Sequence, residues 1–321
     1  MDDGEVTLGD GAATTTWATR DGLSPVLSIV GPTASGKSAL AMQVAALVPA
    51  EIVTADSMQV YRGMDVGTAK PTAEEQALVR HHLLDLWDVD HDVTVAEFQP
   101  LARAAIDDVR RRGSTALLVG GSGLYVRAVL DDLQFPGTDL AVRERLEAEF
   151  AALGPAALHA RLAAADPAAA LAILPSNGRR VVRALEVIEI TGMPFTATLP
   201  DESPVYPDVR IGLDVPLDQL AGRIADRVRR MWEAGLVDEV RSLPDLAQTR
   251  TASRALGYSQ VLRMLAGEID EAAAVDETIM ATRRFAKRQL TWFRRDQRIS
   301  WLPFDAPDLA ARVAALIGHR A

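Results

Sequence analysis

Cysteine is absent from the 321 residues, which excludes disulfide staples, thiolate zinc sites and cysteine nucleophiles. Long hydrophobic runs are missing too. No stretch approaches the roughly 18 uninterrupted apolar residues that a membrane-spanning helix requires. The opening segment Met1–Ser24 is acidic, rich in Gly and Thr and without an apolar core, so it reads as a loose, disordered tail and not as a secretory signal. A cytoplasmic protein without a membrane partner is the expectation. Positive charge is also in deficit, with 34 Lys and Arg against 44 Asp and Glu and a net charge of −10. A uniformly basic nucleic-acid coat is thereby excluded, and any polyanion must be held by a local patch.

What is present has the balance of an ordinary globular enzyme, 48% apolar and 24% charged, in a chain long enough for two lobes. Val26-Leu27-Ser28-Ile29-Val30 is short, β-branched and bounded by Pro25 and Gly31, as a strand buried on both faces should be. Further strands are predicted at Glu51–Ala55, Thr115–Val119, Val209–Val215 and Ile299–Leu302. Thr94 with Glu97 forms a capping box that opens a helix running to Arg110-Arg111-Arg112, where Gly113 stops it. From Asp139 to Leu199 the pattern changes to Ala, Leu and Arg at helical spacing with no strand signal. The expected organisation is a tail at 1–24, the first part of a core at 25–138, an inserted helical lobe at 139–207 and a return to the core at 208–321.

Gly31-Pro32-Thr33-Ala34-Ser35-Gly36-Lys37-Ser38 matches G-x-x-x-x-G-K-[ST] and lies between a buried strand and a helix start, where that pattern has a mechanism. Glycines let backbone amides converge on phosphate oxygens, the helix N-terminus adds a positive dipole end, and Lys37 neutralises anionic charge. Ser38 is the candidate Mg²⁺ ligand. With strands alternating with helices, the fold class is α/β, a P-loop NTPase-like doubly wound parallel sheet with an inserted helical lobe and a helical C-terminal region. A phosphate or diphosphate ligand follows from the loop; the group that the phosphates carry does not.

Asp56 ends the second strand beside the cradle, at the carboxyl edge where open parallel sheets bind ligands. Position alone leaves it as a base, a metal-water partner or a turn residue. Gly120-Gly121-Ser122-Gly123 after the third strand is a second glycine turn, functional or simply packing. Adjacent His81 and His82 in a strand point to opposite faces, which favours structure over one shared ion. Arg179, Arg180 and Arg183 form a small basic cluster. Between Thr278 and Arg298 stand Arg283, Arg284, Lys287, Arg288, Arg294, Arg295 and Arg298 against the single acid Asp296. At about 100° per residue the basic side chains share one arc and Phe285, Ala286, Leu290, Trp292 and Phe293 the other. A single-signed face of this kind reads as a polyanion site in preference to a solvated one.

The run Thr54-Ala55-Asp56-Ser57-Met58-Gln59-Val60-Tyr61-Arg62-Gly63-Met64-Asp65-Val66-Gly67-Thr68-Ala69-Lys70-Pro71, taken with the cradle, closely resembles the bacterial tRNA dimethylallyltransferases. The resemblance continues through His81–Asp85, Val119–Tyr125, Arg183–Val187, Arg254–Tyr258 and Lys287–Arg294, and so covers about Val26 to Leu302. It implies transfer of a dimethylallyl group from dimethylallyl diphosphate to an adenine next to the anticodon, with Mg²⁺ as cofactor and a monomeric enzyme. Asp56 matches the family's general base. Ser122 stands where threonine is more frequent, and Arg227 and Arg223 match arginines of the catalytic and diphosphate sites. The tRNA anticodon stem-loop is expected to meet Ser57, Met58, Gln59, Arg143, Arg179, Arg180, Arg183, Arg254, Gly257, Tyr258, Arg284, Lys287, Arg288 and Arg294. The family is described as using a channel entered from opposite ends by donor and base, and its target base must leave the stack.

A P-loop small-molecule kinase using ATP would share the cradle, the Mg²⁺ and a second-strand aspartate. It would leave the helical insert and the basic helix without purpose. A nucleotide-gated RNA binder and an adenylate isopentenyltransferase are further alternatives, the latter type lacking much of the basic C-terminal half.

Overall fold

The computed structural model describes residues 23–195 and 203–317. The predicted tail therefore lies almost wholly outside the described residues, as does part of the expected exit from the lobe. In order, the elements are β1 (Val26–Val30), α1 (Lys37–Ala45), β2 (Ala50–Thr54), α2 (Ala73–Leu78), β3 (His81–His82), α3 (Val95–Arg111) and β4 (Thr115–Gly120). Next come α4 (Gly123–Leu130), α5 (Leu140–Leu153), α6 (Pro155–Ala165), α7 (Pro167–Ala172), α8 (Gly178–Thr191) and β5 (Asp208–Asp214). The chain then runs through α9 (Leu217–Glu233), α10 (Leu236–Ser242), α11 (Tyr258–Leu265), α12 (Glu271–Phe293), β6 (Ile299–Pro303) and α13 (Leu309–Ala315).

Strand order is β3-β2-β4-β1-β5-β6, and every pairing is parallel. Parallel strands must be covered on both faces, and β1 and β4 are buried along their whole length. One face packs Phe98, Ile106, Val129 and Tyr258, and the other packs Leu40, Val44 and Val313. The consequence for function is topological. Because β4 lies between β1 and β2, the turns after all three strands share one edge of the sheet, at the point where the winding reverses.

Local signals account for the helix starts. Thr94 and Glu97 close the expected capping box on α3, and Thr72 with Glu75 makes a second one on α2. Gly113 follows α3 with φ +77°. The described residues divide into two compact units, one up to Leu130 and from Pro204 onward, the other within Asp131–Ser203. The second unit is helical, with Leu146, Leu158, Leu162, Val181 and Leu185 as its core. Composition placed its edges at 139 and 207. The observed boundary lies earlier at the entry because a non-helical lead-in belongs to the unit, with the Asp132 amide donating to the Ser203 carbonyl at 3.0 Å.

Candidate active site

Three strand ends build the site. After β1 the chain turns through the phosphate loop, where Gly36 takes φ +102°, a left-handed value that favours glycine. Lys37 then starts α1, and its Nζ donates to the Pro32 carbonyl at 2.6 Å. Arg223 of α9 donates to the Ala34 carbonyl at 2.8 Å and stacks over Phe304, so a second cation is held on the rim of the loop. After β2, the Asp56 carboxylate accepts the Met58 amide at 2.8 Å. That turn keeps one oxygen occupied and leaves the group at the cavity wall. At the end of β4, Gly120 and the following Gly121 line the same cavity.

Gly120 allows this convergence. A Cβ there would lie 2.1 Å from the Ala55 carbonyl oxygen, so β4 can approach the end of β2 only with no side chain at that position.

Three adjoining cavities share walls here. A central space of about 100 Å³ holds Lys37, Ser38, Asp56 and Arg227 on its walls. A more open cleft of about 1080 Å³ is lined by both signs of charge, Lys37, Lys70, Arg223, Arg227 and Arg230 with Asp65, Glu75, Asp85 and Asp226, and Lys70 is paired to Asp65 and Asp85. A third cavity, of about 310 Å³, is richer in apolar surface, with Met58, Met231, Leu256, Tyr258 and Phe285. Arg227 lines all three, and Asp56 lines the central and the apolar ones. Asp56 therefore stands on the wall between the phosphate-loop cavity and the apolar one.

Electrostatics follow from this crowding. Burial pushes the Lys37 ammonium down to about 7, helped by the Arg227 charge and opposed by Asp56. Burial likewise lowers Arg227, with Asp56 supporting its charge and Arg230 opposing it. The two cations repel each other, and the Asp56 carboxylate beside them offsets part of that repulsion. The sign of the linkage is fixed by Lys37 binding its proton less tightly in the folded chain than the unfolded value of 10.5. Stability contributed at this position therefore rises between about pH 7 and 10.5. Lys37→Met removes the buried charge, so it should be more stable than the parent below pH 7, with the gap closing toward pH 10; thermal denaturation across that range checks this.

The structure brings many of the sequence candidates together. Ser57, Met58, Ser122, Arg254, Tyr258 and Arg288 line the apolar cavity, and Gln59 lines the central one while donating to the Thr68 and Ala69 carbonyls. Tyr258 is fully buried and its hydroxyl bonds the Glu239 carboxylate, so its ring acts as a wall. Gly257 is buried at the start of α11, its amide donating to Gln260. Arg284, Lys287 and Arg288 are exposed on α12, as the helical arc predicts, while Ala286 and Phe293 are buried.

That helix ends at Phe293, short of the expected Arg298. Arg294 pairs with Asp214 at 2.7 Å and lies over Trp301, and Arg298 folds back onto Asp296. The free basic face is therefore shorter than charge counting implies. In the helical unit Arg143 and Arg183 both pair with the buried Glu186, and Arg179 and Arg180 are exposed. His82 bonds Glu51 at 2.7 Å, a structural use, whereas His81 bonds the Val79 carbonyl and borders the central cavity.

Two residues escape a reading of the sequence. Glu239 accepts the amides of Asp65, Val66 and Gly67 at 3.0, 2.6 and 3.2 Å, and carries no local signal of that role. Gln289 bonds both the phosphate loop and the second glycine turn. Its signal was a polar side chain on the apolar arc of α12.

A family model described as IPP transferase matches residues 59–296. A tRNA dimethylallyltransferase of Thermobifida fusca is 62% identical over 302 residues, covering 92% of this chain and 95% of that protein. A crystal structure of a full-length tRNA isopentenylpyrophosphate transferase from Bacillus halodurans matches with a TM-score of 0.66 at 40% identity, covering 92% of this chain and 95% of that one. A eukaryotic dimethylallyltransferase structure shares the fold with a TM-score of 0.76 at 24% identity, covering 87% of this chain and 73% of that one.

Proposed function

This chain belongs to the IPP transferase family, and from that membership and the site geometry we propose that it transfers the dimethylallyl group of dimethylallyl diphosphate to an adenine of tRNA. The acceptor is the exocyclic amine of the adenine on the 3′ side of the anticodon, and the enzyme works as a cytoplasmic monomer. One observation carries the reading. Asp56 lies on the wall shared by a phosphate-loop cavity and an apolar, base-sized cavity.

The chemistry fits that placement. The amine of adenine shares its lone pair with the ring and is a poor nucleophile, so its attack on the allylic carbon needs a proton acceptor. The N–C bond forms, the C–O bond to diphosphate breaks with its electron pair leaving on oxygen, and the amine proton passes to Asp56. No covalent intermediate is needed. Lys37, Arg227, Arg223 and the backbone amides of Gly36, Lys37 and Ser38 at the start of α1 stabilise the charge that grows on the departing diphosphate. Ser122 lines the apolar cavity, and in this reading its hydroxyl orients the acceptor.

Among the described residues no group of three or more His, Cys, Asp or Glu side chains converges as a cage for a metal. The exposed Ser38 hydroxyl at the cavity wall suits an ion that keeps most of its ligands as water and substrate phosphate, the usual manner of Mg²⁺. When bound, Mg²⁺ supplies further charge neutralisation to the diphosphate.

RNA is expected to reach the apolar cavity across α12, with Arg284, Lys287 and Arg288 on phosphates and Arg254 and Tyr258 bounding the base pocket. The exposed Arg179 and Arg180 of the helical unit are a further site for the stem-loop. Arg284→Ala with Arg288→Ala should flatten the salt dependence of tRNA binding by about 0.7 in log–log slope for each phosphate no longer neutralised. An unchanged slope would remove that face from the interface. The function itself is tested by incubating undermodified tRNA with dimethylallyl diphosphate or with ATP. Prenylated adenine from the diphosphate alone is expected, and product with ATP instead would reject the assignment.

A further inference from the structure

The phosphate loop is held from a distance by one amide. Gln289 on α12 accepts the Thr33 N–H at 2.8 Å through Oε1 and donates from Nε2 to the Gly121 carbonyl at 2.9 Å. The orientation is dictated by the partners, since a backbone N–H can only donate and a carbonyl can only accept. The side chain is buried and lines the central cavity beside Lys37 and Asp56. Gly121 is shaped to admit it, because a Cβ there would sit 2.4 Å from the Gln289 Nε2.

Consider what else would fit. A carboxylate accepts from Thr33 but has nothing to donate to Gly121, a lysine donates but cannot accept, and a methionine does neither. The bridge joins the turn after β1 to the turn after β4, the two walls between which the diphosphate must lie. Arg284, Lys287 and Arg288 stand exposed on the same helix, with Arg288 also bordering the apolar cavity.

We infer that Gln289 is a positioning residue of the diphosphate site, setting the separation of the phosphate loop and the second glycine turn through its two amide hydrogen bonds. It touches no reacting atom and acts through Thr33 and Gly121. This rests on the diphosphate reading given above, and the test separates the two.

The full chain and its Gln289→Met and Gln289→Glu variants are compared for inorganic pyrophosphate affinity by calorimetry, for affinity toward an unmodified anticodon stem-loop, and for thermal midpoint. Gln289→Met should weaken pyrophosphate about tenfold, the worth of one to two net hydrogen bonds, with stem-loop affinity unchanged. Gln289→Glu should bind pyrophosphate more weakly still near pH 8, where its carboxylate repels the ligand. Relative to the unaltered chain measured at the same pH, it should recover as the pH falls toward 5, because the protonated acid can again donate to Gly121, whereas protonation of pyrophosphate and of Lys37 affects both proteins alike. Unchanged pyrophosphate affinity in Gln289→Met would overturn the inference, as would a loss matched by equal losses in stem-loop affinity and thermal midpoint. Should Gln289→Met not fold, the pH recovery of Gln289→Glu decides alone, its absence counting against the inference. If the unaltered chain fails to bind pyrophosphate, the diphosphate reading fails and the inference falls with it, whereas binding by the unaltered chain with no loss in Gln289→Met overturns the inference alone.

Discussion

Asp56→Asn should lower the single-turnover rate of prenyl transfer by about 10²- to 10⁴-fold, the usual contribution of a general base, while tRNA and pyrophosphate still bind. The substitution is chosen to spare the fold. Asparagine keeps an oxygen for the Met58 amide, which the Asp56 carboxylate accepts at 2.8 Å, so the turn after β2 should survive. What it loses is the capacity to take a proton. It also removes the negative charge that supports Lys37 and Arg227 as cations, so Lys37 should titrate lower still in the variant. A rate that holds while RNA affinity collapses would move Asp56 from chemistry to recognition.

The second large effect is steric. Gly120→Ala places a methyl 2.1 Å from the Ala55 carbonyl oxygen and 2.7 Å from its carbon, and both are backbone atoms that cannot rotate aside. β2 and β4 are in register there, Thr54 opposite Val119, so relief requires the strand ends to part. Overpacking of this kind costs about 3 kcal/mol, enough to shift a denaturation curve plainly. It should also cut the transfer rate, because Asp56 follows Ala55 directly and moves with it. Gly222→Ala is the control: nothing lies within 4 Å of its added methyl, it sits inside α9, and alanine there should be neutral or stabilising by up to about 1 kcal/mol. Equal behaviour of the two variants would contradict the close approach of β2 and β4.

What the sequence revealed, and what it hid, divides by range of interaction. The phosphate loop was legible because its signal is local: a buried run, a fixed spacing of glycines and Lys37, and a helix start follow one another directly along the chain. Asp56 was legible because parallel strands deliver their carboxyl ends to one edge, so its place beside the loop follows from topology. The exposed arc of Arg284, Lys287 and Arg288 followed from helical periodicity. Meetings between distant segments were hidden. Gln289 bonds Thr33 across 256 positions and Glu239 bonds Val66 across 173, and no periodicity encodes such pairs. Charge counting also misjudged which arginines are free. Asp214 on β5 claims Arg294, and the buried Asp296 claims Arg298 and Arg210, so acids set outside the helical stretch neutralise part of the basic run.

These features converge on a single spatial claim, that a nucleobase's amine reaches the Asp56 carboxylate on the side of the allylic carbon away from the diphosphate held by the phosphate loop. Crystals grown with an unreactive analogue of dimethylallyl diphosphate and an anticodon stem-loop measure it directly. The account predicts diphosphate on the loop from Gly31 to Ser38 and the adenine amine within about 3 Å of a carboxylate oxygen of Asp56, the reach of a proton acceptor. An adenine bound elsewhere, with that carboxylate facing only solvent, would contradict it.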